Sequence, residues 1–148
     1  TAMAVKYLNG ILPAAAKMTE IDCSLQNKTG AMISTVEKCM NELAFSKALQ
    51  AVWEVISSCN KYIDDCAPWV LAKDPSQRNR LSTVMYTLLE SQRIVHCLLS
   101  AFLPATSEKA LSYLGWKGEI SLESLKWGGL KESAVITRAE ALFPRYEE

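Results

Sequence analysis

The residues of this chain best suited to chemistry surround a tryptophan that follows a proline. Trp69 comes directly after Ala67 and Pro68, at the end of an amphipathic helical stretch. Proline fixes its own backbone and disfavours a helical conformation in the residue before it, so this pair predicts a helix end with Trp69 at the corner. An indole at such a corner either fills the core or stays uncovered, where it can stack on an unpaired RNA base.

Positive charges near the corner add an electrostatic component to the second interpretation. Lys61 precedes the tryptophan, and Lys73, Arg78 and Arg80 follow it. A cationic loop beside an aromatic ring is the minimal equipment for holding single-stranded nucleic acid, so these four side chains are candidate contacts to an RNA backbone. A mixed-charge surface loop gives the same pattern, and that alternative stays open.

Catalytic chemistry has little support in the sequence. The only histidine, His96, lies between Val95 and Cys97 in a helical pattern, and we interpret it as structural. The sequence has no glycine-rich phosphate loop and no His-Glu-x-x-His helix. The five cysteines form no C-x-x-C pair and are interpreted as reduced. We therefore expect no catalytic residue, no metal site and no cofactor within these residues.

The charge balance excludes a global attraction to polyanions. The 16 basic and 16 acidic side chains cancel, so any contact to nucleic acid must come from a local patch. The sequence has no apolar run of about eighteen residues and no secretory signal, so we expect a cytoplasmic protein with no membrane partner. The chain starts without methionine, inside a helical pattern, and we expect it to be a piece of a longer protein.

Helical periodicity predicts the elements that position the corner. Apolar residues recur at intervals of three and four over residues 45–63, with Ser46 as a candidate N-cap. Asp74 followed by Pro75 predicts the start of a long helix that runs to about Phe102. The other predicted segments are a helix over 1–8 closed by Asn9-Gly10, a loop over 18–30, a helix over 32–43, a helix over 105–114 closed by Gly115, and a short helix over 121–125.

The predicted fold class is all-α. We expect one domain over residues 1–148, with an antiparallel bundle of about five helices over 1–115. Residues 116–148 are rich in glycine and lose the helical periodicity, so we expect an irregular tail that wraps over the bundle.

A series of short motifs in this order resembles the anticodon-binding domain of methionyl-tRNA synthetases, which are class I aminoacyl-tRNA synthetases. The corner followed by Lys73 and the closing Phe-Pro-Arg favour methionine over the sister synthetases for isoleucine, valine, leucine or cysteine, which share single motifs. The motifs are Tyr7-Leu8-Asn9-Gly10, Phe45-Ser46-Lys47-Ala48-Leu49 with Val52-Trp53, Asn60-Lys61-Tyr62-Ile63, Ala67-Pro68-Trp69, Arg93-Ile94-Val95 with Leu98-Leu99, Phe102-Leu103-Pro104, Leu114-Gly115, Trp127-Gly128 and Leu142-Phe143-Pro144-Arg145.

The resemblance implies a C-terminal module that reads the CAU anticodon in an enzyme that joins methionine to tRNA(Met). It implies that Trp69 packs on an anticodon base and that Pro68 shapes the corner. It also implies that ATP, with magnesium, is used by a separate catalytic domain of the same protein, and that DNA is not a partner. An asparagine and an arginine of the family's site are expected upstream of Thr1, so we expect the isolated chain to bind weakly and with poor discrimination.

The alternative is a different class of function, namely that of a helical scaffold that docks a protein and binds no RNA. The neutral net charge supports it, as do the aromatic residues Trp116, Trp127 and Tyr146 in the tail.

Overall fold

The computed structural model describes residues 1–14, 16–140 and 142. These residues form an all-α structure, which confirms the predicted fold class, and extended backbone pairs only at an isolated bridge between Ile11 and Val135. The helices are α1 (Ala2–Leu8), α2 (Glu20–Asn41), α3 (Phe45–Cys66), α4 (Pro68–Leu71), α5 (Arg78–Leu99) and α6 (Pro104–Tyr113), with 3-10 turns at Pro75–Gln77 and Glu123–Leu125.

Helices α2, α3 and α5 form the main core. The beginning of α2, the end of α3 and the beginning of α5 meet at one end of the bundle, so α3 runs antiparallel to both of its neighbours. Val52 of α3 and Val84 of α5 are completely buried between them. A second apolar cluster joins α1 to the first half of α5 through Leu8, Met85 and Leu89. Helix α5 is therefore the central element, in contact with both clusters.

The predicted loop over residues 18–30 is wrong, because α2 begins at Glu20 and runs through Gly30. Two buried positions of this helix carry polar residues, Asp22 and Thr29, where the periodicity requires apolar ones. The Thr29 hydroxyl donates to the carbonyl of Leu25, 2.9 Å away, and Asp22 belongs to a hydrogen-bonded cluster. Because the buried polar residues of α2 are hydrogen-bonded, hydropathy alone does not reveal the buried face of this helix.

The remaining boundaries are close to the predicted ones. Asp74 caps the 3-10 turn that leads into α5, as predicted, since its Oδ1 accepts from the amide of Ser76 at 2.9 Å. Helix α3 begins at Phe45 with Ala44 at the N-cap position, so the prediction of Ser46 as its cap is wrong. Helix α5 ends at Leu99 rather than Phe102, and only Glu123–Leu125 of the predicted short helix is helical, as a 3-10 turn.

A buried ion pair on α5 holds the segment that follows α6. Glu90 and Arg93 are both completely buried, with 2.6 Å between Oε1 and Nη2. The Glu90 carboxylate accepts from the backbone amides of residues 128–130 at 2.7 to 2.9 Å. Arg93 donates to the carbonyl oxygens of Ser124 and, at 2.8 Å, Lys126. The irregular segment is therefore fixed to the central helix by charged hydrogen bonds as well as by apolar contacts.

Candidate nucleic-acid interface

The corner after α3 has a tightly determined backbone. Helix α3 ends at Cys66, and Ala67 adopts a left-handed conformation with φ 43° and ψ 60°. Its amide still donates to the carbonyl of Ile63 at 2.9 Å, and its carbonyl accepts from the amide of Val70 at 2.8 Å. Pro68 then opens the single turn of α4. The predicted helix end is confirmed, although Ala67 is left-handed rather than extended, so the helix axis changes direction at this one residue.

The corner combines a buried proline with an exposed tryptophan. Pro68 is completely buried, whereas Trp69 is 41% exposed and its neighbour Val70 is 54% exposed. The three residues are consecutive in the same helical turn, which buries the proline ring and leaves the two side chains that follow it exposed. Trp69 therefore combines a fixed backbone with a partly exposed side chain, and stacking on a nucleobase requires both.

Three of the four predicted cations are free of ion pairs within the described part of the chain. Lys61 on α3, Lys73 after α4 and Arg78 at the start of α5 are all exposed. The surface around them is of mixed charge, because Asp64, Asp65 and Asp74 are exposed as well. A hydrogen bond from Ser76 lowers the pKa of Asp74. The three exposed cations and the three exposed carboxylates cancel, so the corner carries no net positive charge, and any attraction to phosphate depends on where each cation lies.

Arg80 is positioned differently from the other three cations. Its side chain is only 23% exposed, and its Nη1 lies 2.5 Å from Oδ2 of Asp22. Its Nη2 lies 3.5 Å from the sulfur of Cys66, the last residue of α3. The guanidinium thus points into the junction of three helices rather than toward solvent.

Asp22 is the centre of a buried cluster beneath the corner. Its carboxylate accepts from the hydroxyl of Tyr62 on α3, from Arg80 on α5, and from the amide and hydroxyl of Thr19 at 2.7 and 2.9 Å. Burial alone would raise the pKa of Asp22, but the bonds from Arg80 and Tyr62 outweigh it and hold the pKa at about 2. Burial and the bond to Asp22 raise the pKa of Tyr62. The cluster is therefore one anion and one cation at neutral pH.

Sequence reasoning missed Asp22 and Tyr62 as parts of this region. The signal was present, because Thr19 and Asp22 have the three-residue spacing of a capping box, and the structure contains that box. For Tyr62, the notable feature is a fully enclosed hydroxyl, which requires a partner.

Burial shifts the pKa values of two further polar side chains, His96 and Cys59. His96 is half-buried on α5, and burial lowers its pKa. Burial raises the pKa of the Cys59 thiol to about 11, so this thiol is not a nucleophile at neutral pH. Among the described residues, no three His, Cys, Asp or Glu side chains converge as a metal site would require. Within the same residues, no helix has the length and apolar character needed to cross a membrane.

Two aromatic residues of the described part of the tail pack within the fold. Trp116 and Trp127 are half-buried and pack against the main core. The guanidinium carbon of Arg93 lies 5.9 Å from the centre of the Trp116 ring. Of the other predicted features of the tail, the Phe-Pro-Arg motif at 143–145 and Tyr146 lie outside the described residues.

Comparison with known proteins gives consistent matches over this architecture. Residues 22–142 match the family described as the anticodon-binding domain of tRNA ligase. The methionine-tRNA ligase of Caldanaerobacter subterraneus subsp. tengcongensis is 45% identical over 98% of this chain, which spans 23% of that protein. The methionine-tRNA ligase of Bacillus subtilis is 43% identical over 99% of this chain, which spans 22% of it.

A solved structure shows the same fold. The apo form of the Mycobacterium tuberculosis methionyl-tRNA synthetase superposes with a TM-score of 0.91 at 26% identity. The match covers 99% of this chain and 30% of that one. The chain thus spans about a quarter of the length of the curated relatives it matches.

Proposed function

The chain belongs to the family of anticodon-binding domains of tRNA ligases, and on that premise we propose that it recognises the anticodon loop of tRNA(Met). In this role Trp69 stacks on an unpaired anticodon base, and Pro68 fixes the corner from beneath. Lys61, Lys73 and Arg78 contact phosphates of the loop. The chain itself contributes recognition and positioning, and bond-making takes place elsewhere in the protein.

The observation that carries this proposal is the exposure of Trp69 at a rigid corner inside the matched region. Because Trp69 is 41% exposed, part of its apolar surface is in contact with water, which is unfavourable. Stacking on a base would remove that surface from water. The ring is amphipathic and rigid, so little conformational freedom is lost when a base packs on it. A loop of single-stranded RNA supplies splayed bases of the required shape.

We propose that the complete protein is a methionine-tRNA ligase of the cytoplasm. The support is the naming of the relatives, of which this chain spans about a quarter. ATP, with magnesium, would be used in a catalytic domain with which this module shares a polypeptide. The sequence of the chain contains no phosphate-binding loop, so no step of the reaction is assigned to its residues.

The proposal is tested by titrating the complete protein with an RNA hairpin that carries a CAU loop. Replacing Trp69 with Ala removes the stacking platform, and we expect a loss of about 1 to 3 kcal/mol in binding free energy. Trp53→Ala is the matched control, since Trp53 is 52% exposed on the flank of α3 away from the corner. It should leave binding unchanged. Equal affinities for the parent and Trp69→Ala would refute the role of Trp69.

Specificity is measured with the same hairpin and altered loops. A methionine-specific module prefers CAU over loops read by the isoleucine, valine, leucine or cysteine enzymes. Because stacking is tolerant of sequence, Trp69→Ala should lower affinity for all loops by similar factors. A preference for one of the other loops would assign the chain to a sister synthetase.

Protein docking is a second candidate function because apolar side chains are exposed far from the corner. Phe45 is 47% exposed and Leu43 74% exposed, where α2 joins α3. Salt separates the two functions. Phosphate contacts weaken with added salt, by a slope of about 0.7 per neutralised phosphate for single strands, whereas an apolar contact does not weaken.

A further inference from the structure

We infer that Arg80, together with Asp22 and Tyr62, is a positioning residue that fixes the orientation of the Trp69 corner and does not contact RNA. This inference rests on the proposed function, because it concerns how the indole is presented to a base. It separates Arg80 from Lys61, Lys73 and Arg78, with which its charge alone would group it.

The first step is the placement of the three side chains. Asp22 lies in the first turn of α2, Tyr62 near the end of α3, and Arg80 in the first turn of α5. The Asp22 carboxylate accepts from the other two, through Oδ1 and Oδ2 respectively. One buried anion therefore joins the ends of all three core helices at the end of the bundle that carries Trp69.

The second step is the short path from this cluster to the corner. Arg80 also contacts the sulfur of Cys66 at 3.5 Å, and Cys66 directly precedes the left-handed Ala67. Tyr62 lies one turn before Cys66 on the same helix. The last turn of α3 is thus held by Arg80 through Cys66 and by Asp22 through Tyr62, and its direction sets that of Pro68 and Trp69.

The third step concerns what Arg80 would lose by contacting a phosphate. Asp22 has no exposed surface, so a guanidinium that moved outward would leave a buried carboxylate without its cation. Lys73 and Arg78 form no ion pair within the described residues that a phosphate contact would break, and both are exposed. Phosphate contact is therefore the role of the exposed cations, and Arg80 remains with Asp22 when RNA binds.

The test measures binding of a CAU-loop RNA hairpin to the complete protein over a series of salt concentrations. Arg80→Gln removes the positive charge and the guanidinium group. We expect binding to weaken about tenfold, because about 1.4 kcal/mol of the stacking contact of Trp69 is lost. The slope of log affinity against log salt should equal that of the parent. Lys73→Gln provides the contrast, because loss of a phosphate contact lowers that slope by about 0.7.

A double-mutant cycle isolates action through the indole. Arg80→Gln should weaken the parent but leave the Trp69→Ala protein unchanged, because the corner then has no ring to position. Arg80→Lys keeps a cation beside Asp22 and should recover part of the lost affinity. Tyr62→Phe keeps the buried ring and removes only the hydroxyl, so it decides the question if Arg80→Gln does not fold.

The outcomes separate the inference from the proposed function. A lowered salt slope in Arg80→Gln, or a loss that adds to that of Trp69→Ala, would make Arg80 a phosphate contact and overturn the inference alone. Unchanged binding with reduced folding stability would make the cluster purely structural and overturn it too. If Trp69→Ala has no effect on the parent, the proposed function fails and this inference fails with it.

Discussion

Arg80 on α5 and Asp22 on α2 form an ion pair across 58 positions of the sequence, with 2.5 Å between Nη1 and Oδ2. Asp22 is completely buried, so the pair lies largely outside the screening of solvent. It closes one end of the bundle, where α3 supplies the hydroxyl of Tyr62 to the same carboxylate. The stability of that end therefore depends on the ionisation of one side chain.

The first prediction is an acid-sensitive contribution from Asp22. Burial acts to raise its pKa, but the bonds from Arg80 and Tyr62 lower the pKa from 3.8 to about 2. A carboxyl whose pKa is lowered by folding stabilises the fold above its unfolded pKa, and this stabilisation is lost as the pH falls through the folded value. The contribution is about 2 kcal/mol above pH 4 and disappears toward pH 2.

Urea unfolding at pH values from 7 to 2 measures this contribution. Asp22→Asn should lower the free energy of unfolding at neutral pH and should flatten its decline between about pH 4 and pH 2. Asp64→Asn is the matched control, because that carboxylate is exposed and forms no ion pair within the described residues. Parallel stability curves for the parent and Asp22→Asn would contradict the prediction.

The second prediction concerns the carboxylate that holds the tail. Glu90 accepts five hydrogen bonds, two from Arg93 and three from the backbone amides of residues 128–130. Glu90→Gln places an amide group among these donors and leaves Arg93 buried without its anion, which should cost about 3 kcal/mol.

The free energies of unfolding of Glu90→Gln and Glu123→Gln provide the measurement. Glu123 also pairs with a cation, Lys126, but both side chains are mostly exposed. An exposed pair contributes little, so the control should unfold like the parent. If both variants lost the same small amount, the buried pair would not be what fixes the tail.

The third prediction concerns Gly129, which lies against the guanidinium of Arg93. A Cβ at this position would lie 2.4 Å from Cζ and 2.6 Å from Nε and Nη2. The guanidinium cannot move away, because Glu90 accepts from Nε and Nη2 while the carbonyl oxygen of Ser124 accepts from Nη1. Gly129→Ala should therefore destabilise the protein by about 2 kcal/mol or more through forced displacement of a buried group.

Gly30→Ala is the contrast for this substitution. Gly30 lies inside α2 with open space around its Cβ direction, so alanine there should stabilise the helix by about 0.5 to 1 kcal/mol. Thermal unfolding of both variants should give melting temperatures that move in opposite directions. A rise for Gly129→Ala would mean that the tail is not packed on Arg93.

The sequence predicted the parts of the fold in which local signals and burial agree. Apolar residues at intervals of three and four over residues 45–63 predicted α3, in which Val52 and Cys59 are buried, and Asp74 with Pro75 marks the start of the next helix directly. It failed at the beginning of α2, where Asp22 and Thr29 occupy buried positions. Their burial is made possible by partners on other helices, which no local pattern records.

The candidate site was likewise predicted only in part from the sequence. Pro68 predicts the corner at Trp69 from neighbouring residues alone, whereas the sequence left open whether the indole is buried, and only the folded structure shows it 41% exposed. The charge of Arg80 is visible in the sequence, but its partner Asp22 is not, so four cations look equivalent until the chain is folded. The glycines of the tail raise the same difficulty, since the requirement for Gly129 comes from Arg93 on a distant helix.

The fourth prediction compares two helix ends of the same type. At the end of α2, the amide of Ala44 donates to the carbonyl of Cys39 and that of Leu43 to Met40, which is the hydrogen-bond pattern of a Schellman motif. Leu43 therefore occupies the left-handed position, with φ 55°, and it is 74% exposed. A leucine is strained in this conformation and gains no packing in return.

Leu43→Gly should stabilise the protein by about 0.5 to 1 kcal/mol, because relief of the strain exceeds the added freedom of the unfolded chain. Gly115 holds the equivalent position after α6, with φ 66°, but there a Cβ would lie 2.5 Å from the carbonyl oxygen of Val135. Gly115→Ala should thus destabilise through both strain and a backbone clash. Urea midpoints that shift in opposite directions support this view of the two ends, and a loss of stability in Leu43→Gly contradicts it.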